Sequence, residues 1–203
     1  MRLGKDQNGF SLMEMVIAIA IIGILAGFSI NMIAYIRSAN IEKAVQEFAD
    51  DMSKVQLRNK THEKLSYLYI TVNHGDFYGC IMEERKYKNV TSDMIAKNGH
   101  CYGKAIDIRF FKVNNKKRSL ANTIITEGVV CALQFDRQGN MRGMYCIVGG
   151  TTYSYEPYRI TFEGRNSSGK KISAMGKQIK FSNASGRHFI EPLEVEPEDD
   201  EKP

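Results

Sequence analysis

The chain has 203 residues, 43% hydrophobic and 25% charged, which excludes a large multidomain enzyme and equally a charge-rich disordered chain. Its 28 Lys and Arg exceed its 23 Asp and Glu, for a net charge of +5, but seven of the acids fall in the last thirteen residues beside a single Lys202. Residues 1–190 thus hold 27 basic against 16 acidic groups, a basic body with an acidic tail that suits a nucleic-acid, anionic-surface or protein partner. Four cysteines are too few for a disulfide-built scaffold and enough for two bridges.

Between Glu14 and Arg37 lie twenty-two residues without a charge. As a helix they reach about 33 Å, enough to cross a hydrocarbon core of about 30 Å. A core helix of a soluble domain would show a polar stripe, which Met15–Ile30 lacks. A cleaved secretory signal would place its small-x-small site after the apolar run, whereas Ala18-Ile19-Ala20 sits inside it. Ahead of the run come a polar leader, Met1–Gly9, with Arg2 and Lys5, and then Gly9-Phe10-Ser11-Leu12-Met13-Glu14. The positive-inside bias keeps that leader cytoplasmic and turns the chain beyond Ile36 away from the cytoplasm.

Glycine, an aromatic residue, four more ending in glutamate, and a long apolar helix resemble the N-terminal signal of the type IV pilin and pseudopilin superfamily. The resemblance covers about a tenth of the chain. It implies cleavage between Gly9 and Phe10 by a prepilin peptidase, N-methylation of Phe10, and a mature chain with Glu14 as its fifth residue. Physical reasoning accompanies each position. Glycine lets a protease approach the backbone closely. A carboxylate where the helix enters the apolar layer is expensive when unpaired, so Glu14 reads as an assembly residue paired with a neighbouring subunit's Phe10 amine; the plainer reading has it snorkel to the headgroups.

From Ile36 onward Ile41, Ala44, Val45, Phe48, Met52 and Val55 recur at three- and four-residue steps, with charged residues between them. One helix from Phe10 to about Asn59 is expected, spanning with its first half and packing with its second. Gly23, Gly27 and Asn31 are its weak points, and glycines also permit close helix contact in lipid. Strands are expected over Leu65–Val72 and Phe77–Met82, joined by the turn Asn73-His74-Gly75-Asp76. A short helix near Thr91–Lys97 precedes further strands at Ala105–Val113, Val129–Phe135, Met141–Val148, Tyr153–Phe162, Lys171–Lys180 and His188–Glu191. The fold class is α+β, a long helix on one antiparallel sheet, as the resemblance also implies. The chain divides into a leader over 1–9, a transmembrane assembly helix over 10–36, its amphipathic half over 37–60, a β-rich head over 61–190 and an acidic disordered tail over 191–203.

If Gln138-Gly139 centres a hairpin, Cys131 lies directly opposite Cys146, near enough for a disulfide; buried free thiols are the alternative. Cys80 and Cys101 remain as the other pair. A zinc site from Cys80, His100 and Cys101 lacks the usual ligand spacing, and neither a metal nor a cofactor is expected. Phosphate-loop, nucleophile-elbow and HExxH motifs are absent from the sequence, so the chain does not read as an enzyme. Arg159, Arg165, Lys170, Lys171, Lys177 and Lys180, interleaved with tyrosines, can track a nucleic-acid backbone, or can form a solvated face under the acidic tail. The C-terminal strands are similar to those of the GspH/FimT group of minor pseudopilins. The expected function is a structural subunit, a minor one, of a type IV pilus, competence pilus or type II secretion pseudopilus, held in the inner membrane before assembly. A DNA-binding minor pilin acting in uptake, and a membrane-anchored binding domain that never polymerises, are the alternatives.

Overall fold

Helix α1 spans Leu12–Thr61, 50 residues, in a computed structural model that describes residues 11–83, 89–104, 106–112, 123–148, 151–155, 157–165, 171–182 and 187–193. The chain divides into two units, residues 1–37 and 38–203, and α1 contributes a segment to each. In the second unit the expected stripe of Ile41, Ala44, Val45, Phe48, Met52 and Val55 is buried, joined by Ala49. Arg58 and Lys60 lie in the last turn, where positive charge offsets the helix dipole.

Asn59, buried in that same turn, ties the helix end to two strands. Its Nδ2 donates to the carbonyls of Ser66 (3.1 Å) and Phe135 (2.9 Å), and its Oδ1 accepts the Ser66 N–H at 2.7 Å. The side chain therefore supplies backbone groups that no ladder reaches at this corner.

Eleven strands and one short helix follow among the described residues: β1 (Tyr67–Asn73), β2 (Asp76–Met82), α2 (Ser92–Asn98), β3 (His100–Lys104), β4 (Ile106–Lys112), β5 (Thr123–Ile124), β6 (Val130–Phe135), β7 (Met141–Val148), β8 (Thr151–Tyr155), β9 (Pro157–Arg165), β10 (Lys171–Phe181) and β11 (His188–Pro192). They form two sheets, ordered β3-β2-β1-β6-β7-β8 and β11-β10-β9-β4-β5. Neighbouring strands are antiparallel throughout. The class is α+β.

Two sheets replace the single one expected. The run Tyr153–Phe162 breaks ahead of Pro157, so that β8 pairs with β7 in the first sheet while β9 pairs with β4 and β10 in the second. Proline has no N–H for a ladder and commonly opens a strand, which suits this position. The chain also changes sheets between β3 and β4. There a Cβ on Gly103 would lie 3.4 Å from the Ala44 Cβ and 2.5 Å from the Ile106 Cδ1, so any larger residue would have to displace the Ile106 tip.

Both sheets and residues 41–55 of α1 share one core. The Phe48 ring lies 5.8 Å from Phe77 of the first sheet and 5.6 Å from Phe162 of the second. The other face of the first sheet holds a smaller cluster in which Tyr67, Tyr69, Val130 and Ala132 meet Ile95 of α2. Thr91 caps α2 by accepting the Met94 N–H at 3.3 Å. The β1–β2 turn is a two-residue loop with positive φ at His74 (52°) and Gly75 (77°), the geometry that matches strand twist. The Glu127 carboxylate accepts both of these amides, at 2.6 and 3.2 Å.

Candidate functional site

The start of α1 is fixed by its own sequence. Ser11 Oγ accepts the Glu14 N–H at 3.2 Å, and Glu14 Oε2 accepts the Ser11 N–H at 2.9 Å. The Ser11 carbonyl takes the first helical bond, from the Met15 N–H at 3.2 Å. This is a reciprocal capping box, whose signal in the sequence is Ser-x-x-Glu ahead of an apolar run; spacing analysis centred on Glu14 alone misses Ser11. The carboxylate also lies at the positive end of the helix dipole. Gly9 and Phe10 lie outside the described residues.

Beyond the cap the helix is apolar on every side. Leu12 is 83% and Ile19 69% exposed, and ten large apolar side chains between Leu12 and Leu25 are exposed. Taking all ten out of water is worth on the order of 15–30 kcal/mol as an upper bound, far above the marginal stability of a domain, so this segment requires an apolar environment outside its own unit. Among the described residues no helix is long and apolar enough to cross a membrane. The exposed large apolar side chains described on α1 ahead of its buried stripe are those from Leu12 to Leu25 together with Met32, Tyr35 and Ile36.

In the head, Cys131 and Cys146 are directly opposed on β6 and β7 and joined by a disulfide. Cys80 and Cys101 are free thiols. Burial first, then the Asp51 charge, pushes the Cys80 thiol up; burial, then Asp76, does the same for Cys101. Both therefore stay protonated, the opposite of what a metal ligand or nucleophile needs. His100 and Tyr102 face α1, with His100 Nε2 2.9 Å from Glu47 Oε2 and the Tyr102 hydroxyl donating to Asp51 Oδ2 at 2.7 Å. Strand alternation turns Cys101 to the other face, so Cys80, His100 and Cys101 do not converge. No group of three metal-ligating side chains occurs among the described residues. Burial, reinforced by Asp51, holds the Tyr102 phenol far above its ordinary range.

The basic residues near the C-terminus divide between two faces of the second sheet. Lys177 turns toward α1, its ammonium 3.9 Å from Glu42, whereas Lys180 points the other way and sits 2.8 Å from Glu191. Arg159, opposite Lys180 in the ladder, is buried and donates to Gln178 Oε1 at 3.4 Å. With Arg109 beside Glu163 (3.8 Å), and Thr161 between Arg109 and Gln178, these side chains make a buried polar row. Lys170 lies outside the described residues, and Arg165 and Lys171 are cross-strand partners on β9 and β10.

Residues 4–30 match the family described as the prokaryotic N-terminal methylation motif. The chain opens with a prepilin-type N-terminus. The matched stretch holds Gly9, Phe10, the Ser11–Glu14 capping box and the exposed apolar turns, and it supports a type IV pilin-like or pseudopilin precursor. Such a prepilin-type start indicates a structural protein processed by a prepilin peptidase and assembled with other pilin subunits. No curated protein and no solved structure matches the chain.

Proposed function

We propose that the chain is a minor subunit of a type IV pilus, a competence pilus or a type II secretion pseudopilus, anchored in the inner membrane by residues 15–36 with its head outside the cytoplasm. The observation that carries this is the methylation motif over residues 4–30, joined to a capped helix whose apolar turns are exposed. In this reading Gly9–Phe10 is the bond cut, Phe10 the methylated N-terminus, and Glu14 the carboxylate that a neighbour's Phe10 amine neutralises. The second unit fits a pilin-like head, in which residues 41–55 of the helix share a core with antiparallel sheets.

The capping box adds a detail to that mechanism. It starts the helix at Leu12 with Ser11 as the N-cap, so Gly9 and Phe10 precede the cap in the sequence. It also gives the Glu14 carboxylate an amide partner before any neighbour arrives, which lowers the cost of holding it at the membrane boundary. Among the described candidate cations, Lys177 and Lys180 point to opposite faces, each beside a carboxylate, which weighs against the DNA-uptake reading. Intact-mass analysis of the membrane form tests the proposal: loss of residues 1–9 with one added methyl group is expected, and a full-length unmodified chain refutes it.

A further inference from the structure

At the far end of the head, beside the last turns of α1, an open cleft of about 610 Å³ lies against the β6–β7 hairpin. Leu65 and Tyr145 give it an apolar surface, Gln134 and Gln138 line it with amides, and Arg137 and Arg142 bring two guanidinium groups. Arg137 Nη2 donates to the Glu63 carbonyl at 3.0 Å and Arg142 Nε lies 3.2 Å from Asp136 Oδ2. A guanidinium carries five donors, so both retain N–H groups for a ligand. The Arg142 side chain is 63% exposed. Lys60 lies over Gly139 of the adjoining turn, outside that lining. Asp136 is the one carboxylate in the lining, and it is occupied by the turn: it accepts the N–H groups of Gln138 (2.9 Å) and Asn140 (2.8 Å). The cleft thus presents net positive charge with flat apolar surface between, a site for an extended acidic peptide.

The chain carries such a peptide at the other end of the head. Strand β11 pairs Pro192 with Lys177, beside Glu42 near the start of the head's helical segment, and the Leu193 N–H bonds the Gly176 carbonyl at 3.0 Å. Immediately beyond stand Glu194, Glu196, Glu198, Asp199, Asp200 and Glu201. The cleft, by contrast, adjoins Gln56, whose Nε2 donates to the Gly139 carbonyl at 3.0 Å, and Lys60. From Glu42 to Gln56 and Lys60 the helix rises about 21 and 27 Å. Eight residues from Leu193 to Glu201 span at most about 29 Å when fully stretched. Of the acids in that span only Asp199, Asp200 and Glu201 reach the level of Gln56 in their own head, and only with the chain fully stretched, whereas a second head placed end to end meets the whole acidic run.

We propose that the acidic tail of one copy, Glu194–Glu201, seats in the arginine cleft of a second copy, a head-to-tail contact that does not close and so favours a filament. The end-to-end order of the heads rests on the filament reading above.

The test uses the full chain in detergent, with and without residues 194–203, and a fluorescent peptide of residues 190–203 as the probe. The peptide is expected to bind the tail-less chain. Binding should weaken about tenfold with Arg137→Glu plus Arg142→Glu, and be lost near 1 M salt, where the screening length is about 3 Å. A peptide with Glu196, Glu198, Asp199 and Asp200 changed to amides leaves the folded protein untouched and should not bind. Full chains should associate in a concentration-dependent way that tail removal abolishes. Equal binding of acidic and amide peptides overturns the proposal, as does tail protection of the cleft that is independent of concentration. Binding of a single-stranded oligonucleotide, but not the peptide, to the same arginines also overturns it and assigns the cleft to nucleic acid. A chain that is cleaved, methylated and incorporated yet fails to bind the peptide removes this contact and leaves the filament reading standing.

Discussion

Glu14 has two jobs in the proposed mechanism, and three substitutions separate them. Its carboxylate closes the capping box with Ser11 through contacts of 2.9 and 3.2 Å, and it awaits the amine of a neighbouring Phe10. Glutamine serves at the third helical position of a capping box as glutamate does, so Glu14→Gln keeps the cap and removes only the charge. Glu14→Ala removes both, and Ser11→Ala removes the Oγ acceptor while sparing the charge. Losing a cap costs about 1 kcal/mol, a factor of about five. Two unit charges about 4 Å apart at an effective dielectric of 20 attract by about 4 kcal/mol. Part of that is offset because the carboxylate already holds an amide, so a net of about 3 kcal/mol, or roughly a hundredfold, is the expected contribution to assembly. Glu14→Gln should therefore lower the filament-incorporated fraction about a hundredfold, Glu14→Ala about fivefold further, and Ser11→Ala alone only about fivefold. The assay is an immunoblot of sheared filament against membrane fractions, with intact mass confirming that every variant is still processed. Incorporation of Glu14→Gln at the unsubstituted level would refute charge pairing and leave Glu14 a helix cap.

Asn59→Ala strips the helix–strand clamp and leaves the buried Ser66 N–H unsatisfied along with two carbonyls, which should destabilise the head by about 2–4 kcal/mol. Chemical unfolding in mild detergent, followed by tyrosine fluorescence since the chain has no tryptophan, reads this directly, and a loss below about 1 kcal/mol contradicts the clamp. Burial works against the Asp136 charge, but the Asn140 backbone and side-chain N–H groups, the Gln138 N–H and Arg142 together hold its carboxyl below the ordinary range. A group depressed in the folded state stabilises above its unfolded value of about 3.9 and loses that contribution as pH falls through the lowered one. Asp136→Asn should accordingly flatten the fall in melting temperature below about pH 4, and an unchanged acid limb would exclude Asp136 from it.

The features legible in the sequence are the ones whose causes are local. The stripe from Ile41 to Val55 follows from a three- and four-residue period, and the turn at His74-Gly75 follows from residues that tolerate positive φ. The division into two sheets was not legible, since Tyr153–Phe162 and Ala105–Val113 read as strands whichever sheet receives them. Partner choice depends on β4 and β9 meeting across fifty residues of chain, which no short window contains. The same holds for Asn59, whose partner Phe135 is 76 residues away, and for Glu127, which serves a turn 53 residues before it. Periodicity marks which face of a segment is buried, but it does not say which polar side chain will complete a distant backbone.

The prepilin-type N-terminus is legible for a further physical reason. In the proposed reading a peptidase and a methylating enzyme act on the chain near the membrane surface, so the chemistry they read is written in consecutive residues: Gly9, Phe10, the capping box, then apolar turns. The head answers to a different demand, because its partners meet a folded surface. There the informative feature is polarity along the helical segment: the acidic tail leaves beside Glu42, and the arginine cleft opens beside Gln56. Composition gives the excess of basic groups in the body and of acids in the tail without placing them. Only the register of β11 on β10 and the Gln56–Gly139 bond set Leu193, the last described residue before the acidic run, and the arginine cleft toward opposite ends of the helical segment.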